Sequence, residues 1–165
     1  MITYILAIIS GLIVLASDYI SKEYVAATFF YGETKPFING LLDFNYIRNK
    51  GAAWGAFSGN RAFLIVLTLV VMAICVFCLI KFGKNNKLFF WAITLVLSGG
   101  IGNMYDRIFR GGEVIDFLHF EFWPTFPVFN IADCAIVIGA GLLILYFILD
   151  TIKEFKEKRQ KNGEA

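Results

Sequence analysis

Four aspartates stand where a carboxylate is expensive to keep. Asp18, Asp106, Asp116 and Asp133 each lie at or near the end of a strongly apolar run, and an ionisable group in that setting marks either function or a buried partner. Asp18 has a partner in sequence: Lys22 follows four residues later, one turn along the same helical face, and the spacing predicts a structural ion pair at the end of a first helix. Asp106 precedes Arg107 and stands four before Arg110, so it too has cations at hand. Asp116, within Val114-Ile115-Asp116-Phe117-Leu118, and Asp133, within Phe129-Asn130-Ile131-Ala132-Asp133, have none. Two carboxylates sharing one site resist joint ionisation, so the pair holds a single proton and offers an acid and a base at one pH. Hydrolysis of an amide by activated water needs such a pair. The same residue types also suit two interfacial aspartates with separate structural partners, which is the simpler reading of these residues alone.

Other hydrolytic chemistries fit less well. The chain has one histidine, His119, which excludes a zinc site of the H-E-x-x-H kind. A serine triad would need that histidine as its base, and no G-x-S-x-G elbow accompanies it; His119 reads as an interfacial polar residue. Cys134 follows Asp133 with no basic neighbour to make a thiolate. Cys75 and Cys78 sit in an apolar run and read as small apolar filler. Glu154, Glu157 and Glu164 belong to a charged tail beside Asp150, where a Glu154–Lys158 pair fits a solvated helix end.

The elements that must position these groups are set by composition. Of 165 residues, 58% are apolar and 17% charged, and the mean hydropathy is +0.69, whereas a soluble domain carries about 25% charged residues. Lipid is the solvent for much of this surface. Scattered basic residues form no stripe for a phosphate backbone, so nucleic acid is not an expected partner. Four apolar runs predict helices spanning about 2–20, 62–82, 88–106 and 129–149, because inside lipid a backbone must satisfy its own hydrogen bonds. The first run lacks the basic start and small-residue cleavage site of a cleaved leader, and is expected to be a retained span. Two long polar connections, about 21–61 and 107–128, carry most of the chemistry. Leu41 to Phe57 reads as short strands and turns, and Phe122, Trp123 and Phe126 suit the headgroup zone. Lysines at 81, 84 and 87 and the basic tail, about 150–165, belong in the cytoplasm by the positive-inside rule. Both termini are then expected inside and both long connections outside.

Five segments in order resemble lipoprotein signal peptidase, also called signal peptidase II. Asp18 and Lys22 match that family's D-x-x-x-K. Asn49-Lys50-Gly51-Ala52-Ala53 is similar to its N-x-G-A-A, and Gly99-Gly100-Ile101-Gly102-Asn103-Met104-Tyr105-Asp106-Arg107 to its G-G-x-x-G-N-x-x-D-R. Gly112-Glu113-Val114-Ile115-Asp116-Phe117 resembles the first catalytic segment and Phe129-Asn130-Ile131-Ala132-Asp133 the second. Tyr19 departs from the pattern, where the family commonly has glutamine, and bears on packing near the ion pair.

The resemblance implies a single mainly α, polytopic membrane domain over 1–165, with four transmembrane helices and a small extracytoplasmic β-rich segment. It implies an aspartic endopeptidase of the bacterial plasma membrane that cuts diacylglyceryl-modified prolipoproteins before the lipid-bearing cysteine. Asp116 and Asp133 would be catalytic, and Asn49, Gly51, Asn103, Arg107 and Asn130 would orient substrate and dyad. No metal or organic cofactor is implied. The partners are membrane lipid and the prolipoprotein, and the chain is expected to act as a monomer. The rival reading is a small four-span scaffold or transporter subunit, in which Asp116 and Asp133 face different partners.

Overall fold

In the computed structural model, which describes residues 1–84 and 86–161, four long helices carry a small sheet at one end. The order is α1 (Ile2–Thr28), β1 (Thr34–Ile38), β2 (Leu42–Asn49), a 3-10 turn (Ala53–Gly55), α2 (Arg61–Phe82), α3 (Lys87–Phe109), β3 (Val114–Phe120) and α4 (Ile131–Lys161). All four helices are long and apolar enough to cross a membrane. At about 1.5 Å per residue, the 31 residues of α4 exceed a hydrocarbon core of about 30 Å, and its last turns are the charged tail. The ion pair recorded there is Lys153–Glu157, at 3.9 Å, rather than the expected Glu154–Lys158: both spacings place partners on one face, and side-chain reach selects between them. Glu164 lies outside the described residues.

Asparagines start three of the four helices. Asn60 accepts from the amide of Phe63 and Asn86 from that of Phe89, each at 3.1 Å, satisfying amides that have no intrahelical partner. At the fourth helix Asn130 and Asp133 bond reciprocally. The Asp133 amide donates to Asn130 Oδ1 at 2.9 Å, and the Asn130 amide donates to Asp133 Oδ2 at 3.2 Å. This is a capping box, and the local signal in Asn130-Ile131-Ala132-Asp133 is that of a helix start.

The first helix runs to Thr28, beyond the expected end near residue 20. Asp18 and Lys22 neutralise one another within it, and Val25 on its last turns is buried against Tyr46, Ile115 and Phe117 of the sheet. α3 is the central helix, packed by α1, α2 and α4. Small residues permit this: a Cβ on Gly99 would collide with the carbonyl oxygen of Ala132, and one on Gly139 would lie 2.7 Å from the carbonyl oxygen of Ala92. Close backbone approach of this kind holds helices together where lipid supplies no hydrophobic drive. At the opposite end Cys75 packs with Phe89 and Ile93, and all three cysteines are free.

The sheet is antiparallel in the order β1-β2-β3. β2 falls inside the segment expected to hold strands. β1 precedes it, and β3 comes from the second connection, for which no strand was expected. In β3 a period of two puts Ile115 and Phe117 against Val25 and Tyr46 and leaves Asp116 on the other face. Phe129 then pairs with Leu118, its amide donating at 2.9 Å to the Leu118 carbonyl. That return turns the chain back on itself and brings Asn130 beside Asp116.

Gly99→Ala is expected to lower stability by roughly 1–3 kcal/mol, as overpacking does. Gly141→Ala, where an added Cβ meets nothing within 4 Å, is expected to be neutral. Thermal unfolding in detergent compares the two, and equal midpoints would contradict the packing argument.

Candidate active site

Asp116 reaches the site from β3 and Asp133 from the first turn of α4, and a single side chain joins them. Asn130 donates through Nδ2 to Asp116 Oδ1 at 2.6 Å, while its Oδ1 is held by the Asp133 amide. The amide orientation follows from the capping box: with the oxygen committed to the helix start, the nitrogen must face Asp116. Asn130 is wholly buried and Asp116 is 1% exposed.

Each carboxylate has a second asparagine. Asn49, the last residue of β2, donates to Asp116 Oδ2 at 2.9 Å, and its own oxygen accepts from the Gly51 amide at 2.8 Å. Asn103 of α3 donates to Asp133 Oδ1 at 2.7 Å and accepts from Asn130 Nδ2 at 3.0 Å. Arg107, one turn on, donates to the carbonyl oxygens of Gly51 at 3.2 Å and Asn103 at 3.4 Å. It thereby ties the turn after β2 to the central helix. Gly51 has no room for a side chain: a Cβ there would lie 2.7 Å from the carbonyl oxygen of Ala56.

Behind this layer is an ion cluster. Lys22 Nζ lies 2.8 Å from Asp18 Oδ2 and 3.0 Å from Asp106 Oδ2, and donates to Asn103 Oδ1 at 3.1 Å. The acids are shared onward. Asp18 Oδ1 accepts from the Ala132 amide at 2.9 Å, Asp106 Oδ2 from the Ile115 amide at 3.1 Å, and Asp106 Oδ1 from Arg110 Nε at 2.8 Å. Ile115 and Ala132 are the residues just before Asp116 and Asp133. The structure thus joins all nine residues singled out from the sequence in one network. It adds Asp106, which the sequence paired with Arg110 but did not place near Lys22; its position within the G-N-x-x-D-R segment was the available signal. Tyr19 packs edge-on against Tyr105 at 5.5 Å and lines, with Asp18 and Lys22, a cavity of about 180 Å³ between α1 and α3. His119 is opposite Asp43 across β2 and β3, away from the network.

Burial pushes the Asp116 carboxyl up to about 7, with the neighbouring Asp133 charge adding to the rise and the amides of Asn49 and Asn130 opposing it. The site therefore holds a proton near neutrality beside a second carboxylate.

A bundle of four apolar helices, closed at one end by a three-stranded sheet, with a buried and a half-buried aspartate held together beneath it, defines a multi-pass membrane protein. Comparison with known proteins narrows this. The sequence model of signal peptidase (SPase) II matches residues 10–149. The chain is 40% identical over 143 residues to the lipoprotein signal peptidase of Bacillus pumilus, covering 86% of this chain and 92% of that one. It is 39% identical to the lipoprotein signal peptidase of Enterococcus faecalis, over 94% of this chain and 93% of the relative. The lipoprotein signal peptidase of Halalkalibacterium halodurans is also 39% identical, over 99% and 100%. A bacterial membrane enzyme solved in meso at 2.3 Å superposes with a TM-score of 0.83 and 34% identity, over 92% of this chain and 90% of that one. The chain belongs to the signal peptidase II family, a family of membrane proteases.

Because its carboxyl titrates near 7 in the folded protein and near 3.8 when free, Asp116 keeps in the native state a proton that the unfolded chain releases. Its contribution to stability is full below about pH 4, falls as pH rises toward 7, and levels off above that. Unfolding midpoints measured from pH 4 to 8 should show this decline, and Asp116→Asn should flatten it. An unchanged slope in the variant would assign the titration to another group.

Proposed function

We propose that this chain is an intramembrane aspartyl endopeptidase that removes signal peptides from diacylglyceryl-modified prolipoproteins, cutting before the lipid-bearing cysteine. The observation that carries the reading is the shared Asn130 amide, which joins Asp116 and Asp133 into one unit. The relatives' name, lipoprotein signal peptidase, supports the substrate class. A scaffold would leave the two aspartates with separate partners, and here they share one.

In the chemistry the pair enters with one proton. The ionised carboxylate takes a proton from water as the hydroxyl oxygen bonds to the scissile carbonyl carbon, and the protonated carboxyl hydrogen-bonds the carbonyl oxygen as it gains charge. Collapse of the tetrahedral intermediate breaks the C–N bond, and the proton taken from water passes to the leaving amine. The free amine stays on the lipid-bearing cysteine, and the pair ends with one proton again. The coupled pair titrates as a unit. Asn49, Asn103 and Asn130 hold the carboxylates, Arg107 and Gly51 fix the turn that borders them, and no cofactor enters. Acyl chains held in the bilayer bring the amide to a constant depth, since each buried methylene is worth about 0.8 kcal/mol.

The reading also sets an orientation for a monomer in the bacterial plasma membrane. Lys81, Lys84, Lys87 and the basic tail lie at the end of the bundle opposite the sheet, where Tyr4 Oη donates to the Lys84 carbonyl. With that end cytoplasmic, the sheet and both aspartates lie at the outer face, where a secreted lipoprotein emerges.

Purified protein is expected to cleave a diacylated lipobox peptide, and Asp116→Asn and Asp133→Asn each to abolish turnover with binding largely retained. The double variant should be little worse than either single one, because the two residues act together. Near-normal cleavage by either single variant rules out the mechanism.

Orientation is tested separately, with an impermeant thiol reagent on intact cells carrying single cysteines in a cysteine-free background. Labelling at positions 35 or 121 with protection at 84 and 158 is expected. The reverse pattern would put the dyad on the cytoplasmic side.

A further inference from the structure

The Lys22 ammonium has three protons and three acceptors: Asp18, Asp106 and the Asn103 side-chain oxygen. Two carboxylates, one of them shared with Arg110, already balance its charge. The third contact, to a neutral amide, does something else. Asn103 Oδ1 is faced by two donors, Lys22 Nζ at 3.1 Å and Asn130 Nδ2 at 3.0 Å, so Asn103 Nδ2 must point to Asp133 Oδ1, 2.7 Å away. Turning the amide over would set its NH2 against an ammonium and another NH2, and its oxygen against a carboxylate. An ammonium has no acceptor to offer, so it enforces one orientation whatever the protonation of its neighbours.

We propose that Lys22 is a positioning residue of the active site, acting through the carboxamide of Asn103, in addition to its part in the ion cluster. The proposal rests on the aspartyl reading above. The reason such a lock matters lies in the cycle itself. When Asp133 is ionised, either a locked or a free Asn103 would donate to it. When Asp133 holds the proton, a free amide would present its oxygen and accept that proton's hydrogen bond, trapping the acid away from the substrate. Asn130 alone holds Asn103 weakly, because its nitrogen is shared among Asn103, the Ile115 carbonyl and Asp116. Lys22 is the donor that does not change through the cycle. Its effect falls on turnover rather than on substrate binding, since Lys22 is wholly buried and reaches Asp133 through Asn103.

Lys22→Met alone would leave two buried carboxylates without their ammonium and report mainly on folding. The test therefore uses Lys22→Met with Asp18→Asn, which removes one charge of each sign and leaves Asp106 paired with Arg110. An asparagine at 18 still has an oxygen to accept from the Ala132 amide. Phe89→Ala, in the packed cluster at the far end of the bundle, serves as a destabilised control expected to keep kcat within about twofold of wild type. The charge-balanced variant should show a Tm no lower than that control, a kcat reduced at least tenfold, and a KM within about twofold of wild type. Asn103→Ala should lower kcat alone, and should lower it by less than threefold when added to the charge-balanced variant, since residues in one network couple. Wild-type kcat in the charge-balanced variant, a loss confined to KM, or fully multiplicative losses would overturn the proposal. So would failure of that variant to fold, which would make Lys22 a requirement of the fold alone. Asp116→Asn, assayed alongside, separates this from the parent reading: turnover there sinks the dyad, whatever the Lys22 series shows.

Discussion

The ammonium of Lys22 is wholly buried, and an isolated ion in that position would cost several kcal/mol. Its solution uses groups from every part of the site. Asp18 comes from the same helix and passes its second oxygen to the amide before Asp133; Asp106 comes from the central helix and takes the amide before Asp116. The positions of both aspartates thus follow from the need to satisfy one charge. A hydrophobic replacement of the cluster would remove that need and the geometry with it. The small residues of α3 belong to the same constraint: a Cβ at Gly102 would lie 2.6 Å from Asp18 Oδ2, so glycine is what lets α1 bring its acid in.

The start of α4 serves two purposes with the same atoms. A helix entering lipid must satisfy its first amides before it leaves polar surroundings, and Asn130 and Asp133 do so reciprocally. That arrangement spends one side of each residue on the helix and leaves the other side facing Asp116 and Asn103. The cap fixes the rotation of the Asn130 amide without any further partner. Side chains placed on a helix start are held as rigidly as the helix itself, which is where precise positioning is least expensive.

The outer surface of the bundle is conspicuously apolar. α2 buries only Leu64 and Cys75, and residues such as Ile74, Phe77 and Ile80 are more than half exposed. In water that surface would aggregate; in a bilayer it is the solvent-facing side. Polar groups gather at the sheet end, with Trp54, Phe122 and Trp123 exposed around them. Trp54 holds a left-handed backbone at φ 54°, stabilised by the turn in which the Ala52 amide donates to the Ala56 carbonyl.

Features settled within one turn of chain were open to reading from the residues. Apolar runs predicted four helices because lipid leaves the backbone no other partner. The Asp18–Lys22 spacing put acid and base on one face, and the order of five short segments pointed to the family. Tertiary structure decided the rest, and for one reason: its contacts join residues distant in sequence and leave no periodic mark. β3 showed no alternation because both its faces are covered at Val114 to Phe117. The extension of α1 to Thr28 depends on Val25 finding the sheet. Asp106 joined Lys22 across 84 residues rather than serving Arg110 alone. The meeting of Asp116 with Asp133 required Phe129 to pair with Leu118, a hydrogen-bonded return that neither segment announces by itself.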